Sequence, residues 1–149
     1  MALSPITKDA IQTKAWNAIY QVIDENKSSF GVTVQTITSA YPDKTATSKN
    51  SYPIIVINPI SLSQSALTFQ KETVPYSCVI EIYTTRADQI DTLSSDLVYY
   101  LTANKDAFRT EARSVFESIS PGTSGSFMRS GMKIHYSTIV CNFIYDYRR

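Results

Sequence analysis

The chain has 149 residues, 43% hydrophobic and 18% charged, with 14 Lys plus Arg against 13 Asp plus Glu and a net charge of +1. That length suits one domain whose core needs no disulfide or metal staple, and the charge balance argues against a dedicated nucleic-acid binder, which carries a basic excess. The hydrophobic content argues against an unfolded chain, and the shortfall of charge is made up by 19 Ser and 16 Thr.

The first predicted element is a helix. Ser4-Pro5 or Thr7 starts it, because proline suits a first turn and a hydroxyl caps free N–H groups. Ile11, Ala15, Ala18, Ile19, Val22 and Ile23 recur at helical spacing as one apolar stripe, flanked by Trp16 and Tyr20. The helix is expected to stop between Asn26 and Ser29, before Gly31. Val32 to Tyr41 reads as a strand, with Ile37 out of phase with Val32 and Val34, as a bulge would produce. Pro42 to Ser51 is a polar loop longer than a usual hairpin connection.

Pro53 to Asn58 (PIIVIN) is a continuously apolar strand, buried on both faces or central in a sheet. Ser61 to Thr73 is ambiguous between a hairpin arm and an excursion. Val74 to Thr85 is a stronger strand, with Tyr76, Cys78, Ile80 and Ile82 on one parity. A second helix is predicted over Ala87 to Ala103, capped by Thr85. Its apolar face is Ile90, Leu93, Leu97, Tyr100 and Leu101, widened by Val98 and Tyr99. Lys105 to Arg113 reads as a short third helix and Val115 to Ser120 as a strand ending at Pro121. Pro121 to Gly131 (PGTSGSFMRSG) holds three of the four glycines and reads as a second flexible loop. Lys133 to Tyr147 is a long final strand covered on both faces. The order implies a single α+β domain over 1–149: a mainly antiparallel sheet packed by two amphipathic helices.

Chemistry-bearing residues are sparse. Cys78 and Cys141 are too few for a disulfide framework and sit in apolar runs, where cysteine acts as a small buried hydrophobe; a single bridge is the alternative. The N-terminus, MALSPITKDA, lacks the basic and apolar regions of a signal peptide. No apolar run approaches the ~20 residues of a bilayer span. A soluble protein made in a reducing cytosol is expected. His135 is the only histidine and lies mid-strand. A triad requires it to meet Ser or Cys and an acid. Cys141 shares its strand face at six residues' remove, about 20 Å at ~3.3 Å per residue. That leaves Cys78, on another strand, as its only thiol partner, and a structural role is the expectation. Two Cys and one His lack zinc-ligand spacing. Asp88, Asp91 and Asp96 read as a solvated helix face. No phosphate-cradling or calcium loop is present. Lys44 and Lys49 fall on the first loop, Arg129 and Lys133 at the second, and Arg148 and Arg149 at the end. These charges either solubilise loops or meet an acidic surface or passing polyanion. Tyr41, Tyr52 and Phe127 beside the loops are interface candidates.

Taken in order, an amphipathic helix, a polar loop, the strand YPIIVINP (Tyr52 to Pro59), the strand-into-helix YSCVIEIYTTRADQIDTLSSDLVYYL (Tyr76 to Leu101) and the strand KIHYSTIVCNFIYDYR (Lys133 to Arg148) form a pattern. It resembles the small tail terminator (tail-to-head joining, tail completion) proteins of long-tailed bacteriophages. The similarity spans most of the chain and lies in element order, not in an invariant motif. It implies an α+β fold, a hexameric homo-oligomeric ring and a non-enzymatic virion protein assembled in the host cytoplasm, without cofactor or membrane. Such a ring caps the tail tube and joins it to the head connector or stopper, with DNA passing transiently through its lumen. The resemblance would place Lys44, Lys49, Tyr52, Phe127, Met128, Arg129 and Lys133 at subunit interfaces or the lumen. The alternatives are another neck or baseplate protein and a small enzyme using Cys78 or His135.

Overall fold

The computed structural model describes residues 11–40, 51–62 and 73–146. Helix α1 spans Ile11–Asn26 and ends in a 3-10 turn, Lys27–Ser29. The short strands β1 (Thr36–Thr38), β2 (Ile54–Ile57) and β3 (Ser61–Leu62) precede the long strand β4 (Thr73–Thr84). Helices α2 (Ala87–Ala103) and α3 (Lys105–Ala112) follow, and then the hairpin β5 (Ser114–Arg129) and β6 (Met132–Asp146). The fold is α+β. One mixed sheet has the order β1-β2-β4-β6-β5, with β3 paired to β4. Only β1–β2 is parallel; the other pairings are antiparallel.

The alternation of β4 and β6 decides where the core lies. Tyr76, Cys78, Ile80 and Ile82 on β4, and Ile139, Cys141, Phe143 and Tyr145 on β6, point to one face and are buried. Ala15, Ala18, Ile19, Val22 and Ile23 of α1 and Leu93, Leu97 and Leu101 of α2 close over them. These are the apolar stripes that the helical spacing marks out. Trp16 and Gln12 tie α1 to the end of β2: the indole N–H donates to the Ile57 carbonyl at 2.9 Å and the Gln12 amide to the Ile60 carbonyl at 3.0 Å. The Asp96 carboxylate on α2 accepts from the Gly31 N–H at 2.8 Å, so this residue anchors the turn after α1 and is not merely a solvated charge.

Four expectations are corrected. The extended segment Val32 to Tyr41 contributes only Thr36–Thr38 to the sheet. Helix α2 begins after Arg86; no side-chain cap bond forms, and the Thr84 hydroxyl donates to the Arg86 carbonyl instead. Val98 and Tyr99 do not widen the buried face of α2 but stand 37% and 66% exposed. Most consequentially, Pro121 to Gly131 is not a loop. Strand β5 runs through it to Arg129, and the chain reverses at Ser130 and Gly131, both with positive φ (50° and 78°), as a two-residue hairpin turn requires. The other two glycines of this segment, Gly122 and Gly125, fall inside the strand. Gly125 lies under Tyr136, whose hydroxyl would sit 2.9 Å from an added Cβ. The extra residues between Pro121 and Ser124 form a bulge closed by Thr138, whose hydroxyl accepts from the Thr123 N–H at 2.7 Å.

The α3–β5 junction carries the buried polar contacts of the core. Arg113 adopts the left-handed conformation, φ 50°, just past α3. This turn lets the Ser114 hydroxyl donate to the Ala112 carbonyl at 2.8 Å, while the Tyr76 hydroxyl donates to Ser114 at 2.6 Å. Two stability predictions follow from this junction. Arg113→Gly will be more stable than Arg113→Ala by about 1 kcal/mol in denaturant titration, because only glycine adopts positive φ without a Cβ penalty. Ser114→Ala will cost about 1–3 kcal/mol by leaving a buried hydroxyl and a carbonyl without partners. In a double-mutant cycle, adding Tyr76→Phe to Ser114→Ala will cost less than the two single effects summed.

Candidate functional site

The residues singled out from sequence fall into three places. Lys44 and Lys49, with Tyr41, Arg148 and Arg149, lie outside the described residues. Tyr52 and Phe127 come together on the sheet face opposite the helices. There Tyr52, Ile54, Val56 and Ile134 are buried and Tyr83, Phe127 and Met132 pack against them. Tyr52 is 5% exposed, so its ring is part of this second apolar cluster and is not free to engage a partner. Phe127 is half-buried and meets Tyr83 edge-on with ring centroids 6.1 Å apart. Met128, Arg129 and Lys133 sit at the end of the β5–β6 hairpin, beside the Ser130–Gly131 turn. Met128 is 66% exposed and pairs with exposed Lys133; Arg129 is half-buried opposite Met132.

Polar chemistry on this second face centres on Glu81. Its carboxylate accepts from the Asn58 amide at 2.7 Å and from the Tyr83 hydroxyl. The Asn58 bond fixes the end of β2 against β4, and the Tyr83 bond ties two side chains of β4 on the same face.

The enzymatic alternative is not assembled. His135 lies opposite Thr84 on β4 and Ser126 on β5. Cys78 is opposite Cys141, six positions away on both strands, so each thiol stands about 20 Å from the imidazole at ~3.3 Å per residue. Among the described residues, no group of three or more His, Cys, Asp or Glu converges to hold a metal ion.

The two cysteines are free and fully buried. The Asn58 N–H donates to the Val79 carbonyl at 3.0 Å, so Val79 faces β2 and its neighbours face β6. Cys78 and Cys141 therefore form a hydrogen-bonded pair, the wider of the two antiparallel spacings. The Cys78 thiol turns toward β2 and donates to the Asn58 carbonyl at 3.4 Å. Both features work against the bridge left open from sequence, since a disulfide needs close, facing Cβ atoms.

Sequence reasoning missed one surface. A groove of about 870 Å³ runs between α2 and the β5–β6 hairpin on the helix side of the sheet. Val98, Tyr99, Ile119, Pro121 and Ile139 give it an apolar lining, with Asp91 and several hydroxyls at its margins. The exposed Val98–Tyr99 pair was the available signal, but it reads as core until the width of α2's buried stripe is known.

No family model matches the chain, and no curated protein matches it in sequence. In fold it is similar to a chain from a solved virion of a native gene transfer agent particle, with a TM-score of 0.51 at 10% identity, over 91% of this chain and 98% of the other. The shared feature is the fold. Among the described residues, no helix is long and apolar enough to cross a membrane.

Burial pushes both thiols up from 9.0 to about 12. Cys78 and Cys141 will therefore stay unreactive toward Ellman's reagent at pH 8 in the native state and both will react in denaturant. The unfolded thiols ionise first, so the unfolded state binds fewer protons. Stability will accordingly fall as pH rises from about 9 to about 12. Replacing both cysteines with Ala will flatten that slope.

Proposed function

We propose that this chain is a structural subunit of a phage-like virion, acting as a tail terminator. Six copies form a ring that caps the finished tail tube and then joins it to the head connector or stopper. The observation that carries the reading is the likeness of fold to a virion chain, end to end on both sides. The element order supports the finer assignment, and His135 stands six strand positions from the Cys78–Cys141 pair. The end of the β5–β6 hairpin, with exposed Lys133 and half-buried Arg129, is a basic feature that would meet a tube, a neighbouring copy or DNA passing through the lumen. A net charge of +1 suits passage, since tight phosphate binding would oppose sliding.

Purified protein mixed with tail tubes, imaged by negative stain and measured by mass, tests this. Rings, free or seated on tube ends, are expected. A monomer that leaves tube ends bare would overturn it. The likeness to a virion chain equally fits another neck or baseplate piece. Immunogold labelling of virions separates these: label at the neck is expected, and label at the baseplate sinks the terminator assignment.

A further inference from the structure

We propose that copies of this chain join head to tail, the β5 edge of one pairing with the β1 edge of the next. The Trp16–Tyr20 flank of the second copy then seats in the groove beside α2 of the first. The inference rests on the ring reading and names the surfaces that would build it.

Among the described residues, the sheet order leaves two open edges, β1 and β5. β1 runs parallel to β2, and each later step from β2 to β4, β6 and β5 reverses direction. β1 and β5 therefore point opposite ways. Rotation about an axis along the strands preserves each strand's sense, so β5 meets the next β1 antiparallel, the more stable ladder.

The backbone shows which β5 groups are open. Val79 faces β2, so Cys78 and Ile80 face β6. Their partners Cys141 and Ile139 face β4, which leaves Val140 and Asn142 facing β5. Ser120 and Ser118 answer those two. Ile119 and Pro121 consequently turn their backbones to the open edge. Pro121, lacking an N–H, occupies a position where its own sheet loses no bond.

Register shifts between Phe116 and Ser118 and between Pro121 and Ser124 divide β5 into three regular runs, Ser114–Phe116, Ser118–Pro121 and Ser124–Arg129, and Ile119 and Pro121 set the run Ser118–Pro121 along the groove. That run suits the three residues of β1. It does not suit a second β5, where bulges and proline would meet on both sides.

The flanks agree. The groove bordering this run is concave and apolar, between Val98 and Tyr99 on α2 and Ile119 and Pro121 on β5. Beside the β1 edge, on the same face of the sheet, α1 presents Trp16 stacked on Tyr20 at 5.4 Å, both half-buried, near Ser39 and Pro59. Continuing the sheet from copy to copy brings this aromatic pair against the groove. Trp and Tyr seated in apolar pockets are the usual anchors of a protein interface.

A bis-maleimide cross-linking experiment on the full chain tests this, with Asn17→Cys beside the aromatic pair and Tyr99→Cys in the groove. Both positions are exposed, and the native cysteines are buried. The double variant should give a ladder of covalent dimers, trimers and larger species, and each single variant should lose every product above monomer. Dimers from Tyr99→Cys alone would indicate a two-fold contact and overturn the inference. A wild-type ring by mass with no ladder from the double variant would overturn it and leave the ring reading standing. A ladder without rings on tubes would retain the contact and remove the terminator assignment. Thr13→Cys with Ser95→Cys, also exposed, repeats the test should the first pair fail to fold.

Discussion

The ladder between β4 and β6 is the constraint on which the rest of the fold depends. It pairs Thr73 through Thr84 with Asp146 through His135 without a break, and both strands have a further partner on their outer side. A slip of one residue would exchange the two faces. Cys78, Ile80 and Ile82 would leave the core, and Val79 and Glu81 would enter it. Glu81 now has its carboxylate bonded to Asn58 and Tyr83 at the sheet surface. Under the helices it would be a buried charge without those partners, which costs several kcal/mol. The same ladder sets the direction of every backbone group on β6, and through it which groups of β5 are used and which remain open.

How much of this was legible follows from which signals are local. The interval Ala87–Ala103 was readable as a helix to both ends, because a long apolar stripe with acidic residues early and no interrupting glycine has one reading. The β2 and β4 strands were readable from β-branched runs bounded by proline. The hairpin was not. Gly122, Gly125 and Pro121 look like loop punctuation, and their strand role depends on Thr138 and Tyr136, which lie a strand away. The local turn signal was the Ser130–Gly131 pair, whose positive φ values close the hairpin. Of the candidate site, the proximity of Arg129 and Lys133 was readable from sequence distance alone. The burial of Tyr52 was not, since it needs Ile134 of β6 and Phe127 of β5 brought beside β2 from across β4.

The residues that sequence offers as chemistry are spent on holding the fold. Tyr76 donates into a hydroxyl chain that ends on the last carbonyl of α3, and burial holds its own proton well above the usual phenol range despite that bond. The thiols sit in the core as small hydrophobes, one of them bonded to a backbone carbonyl. Nucleophiles need access and a depressed pKa; these groups have neither. Among the described residues, the features that remain open to a partner are the groove, the hairpin tip and the two sheet edges.

Those edges carry little charge. A long exposed edge is usually guarded by lysine, by short strands, or by proline and bulges. β5 carries only Glu117 and Arg129 as charges along its length, so charge is not its guard. Pro121 and two register shifts are. They cut a long template into the three shorter runs Ser114–Phe116, Ser118–Pro121 and Ser124–Arg129. A three-residue ladder holds little by itself, as the marginal stability of isolated hairpins shows. Association at this edge therefore depends on the apolar flank beside it, and the flank selects the partner. Because the two edges differ, the contact is heterologous, and such contacts either close into a ring or continue as a filament. Strand twist turns each added copy relative to the last, so a flat, open-ended stack of sheets is not available to it.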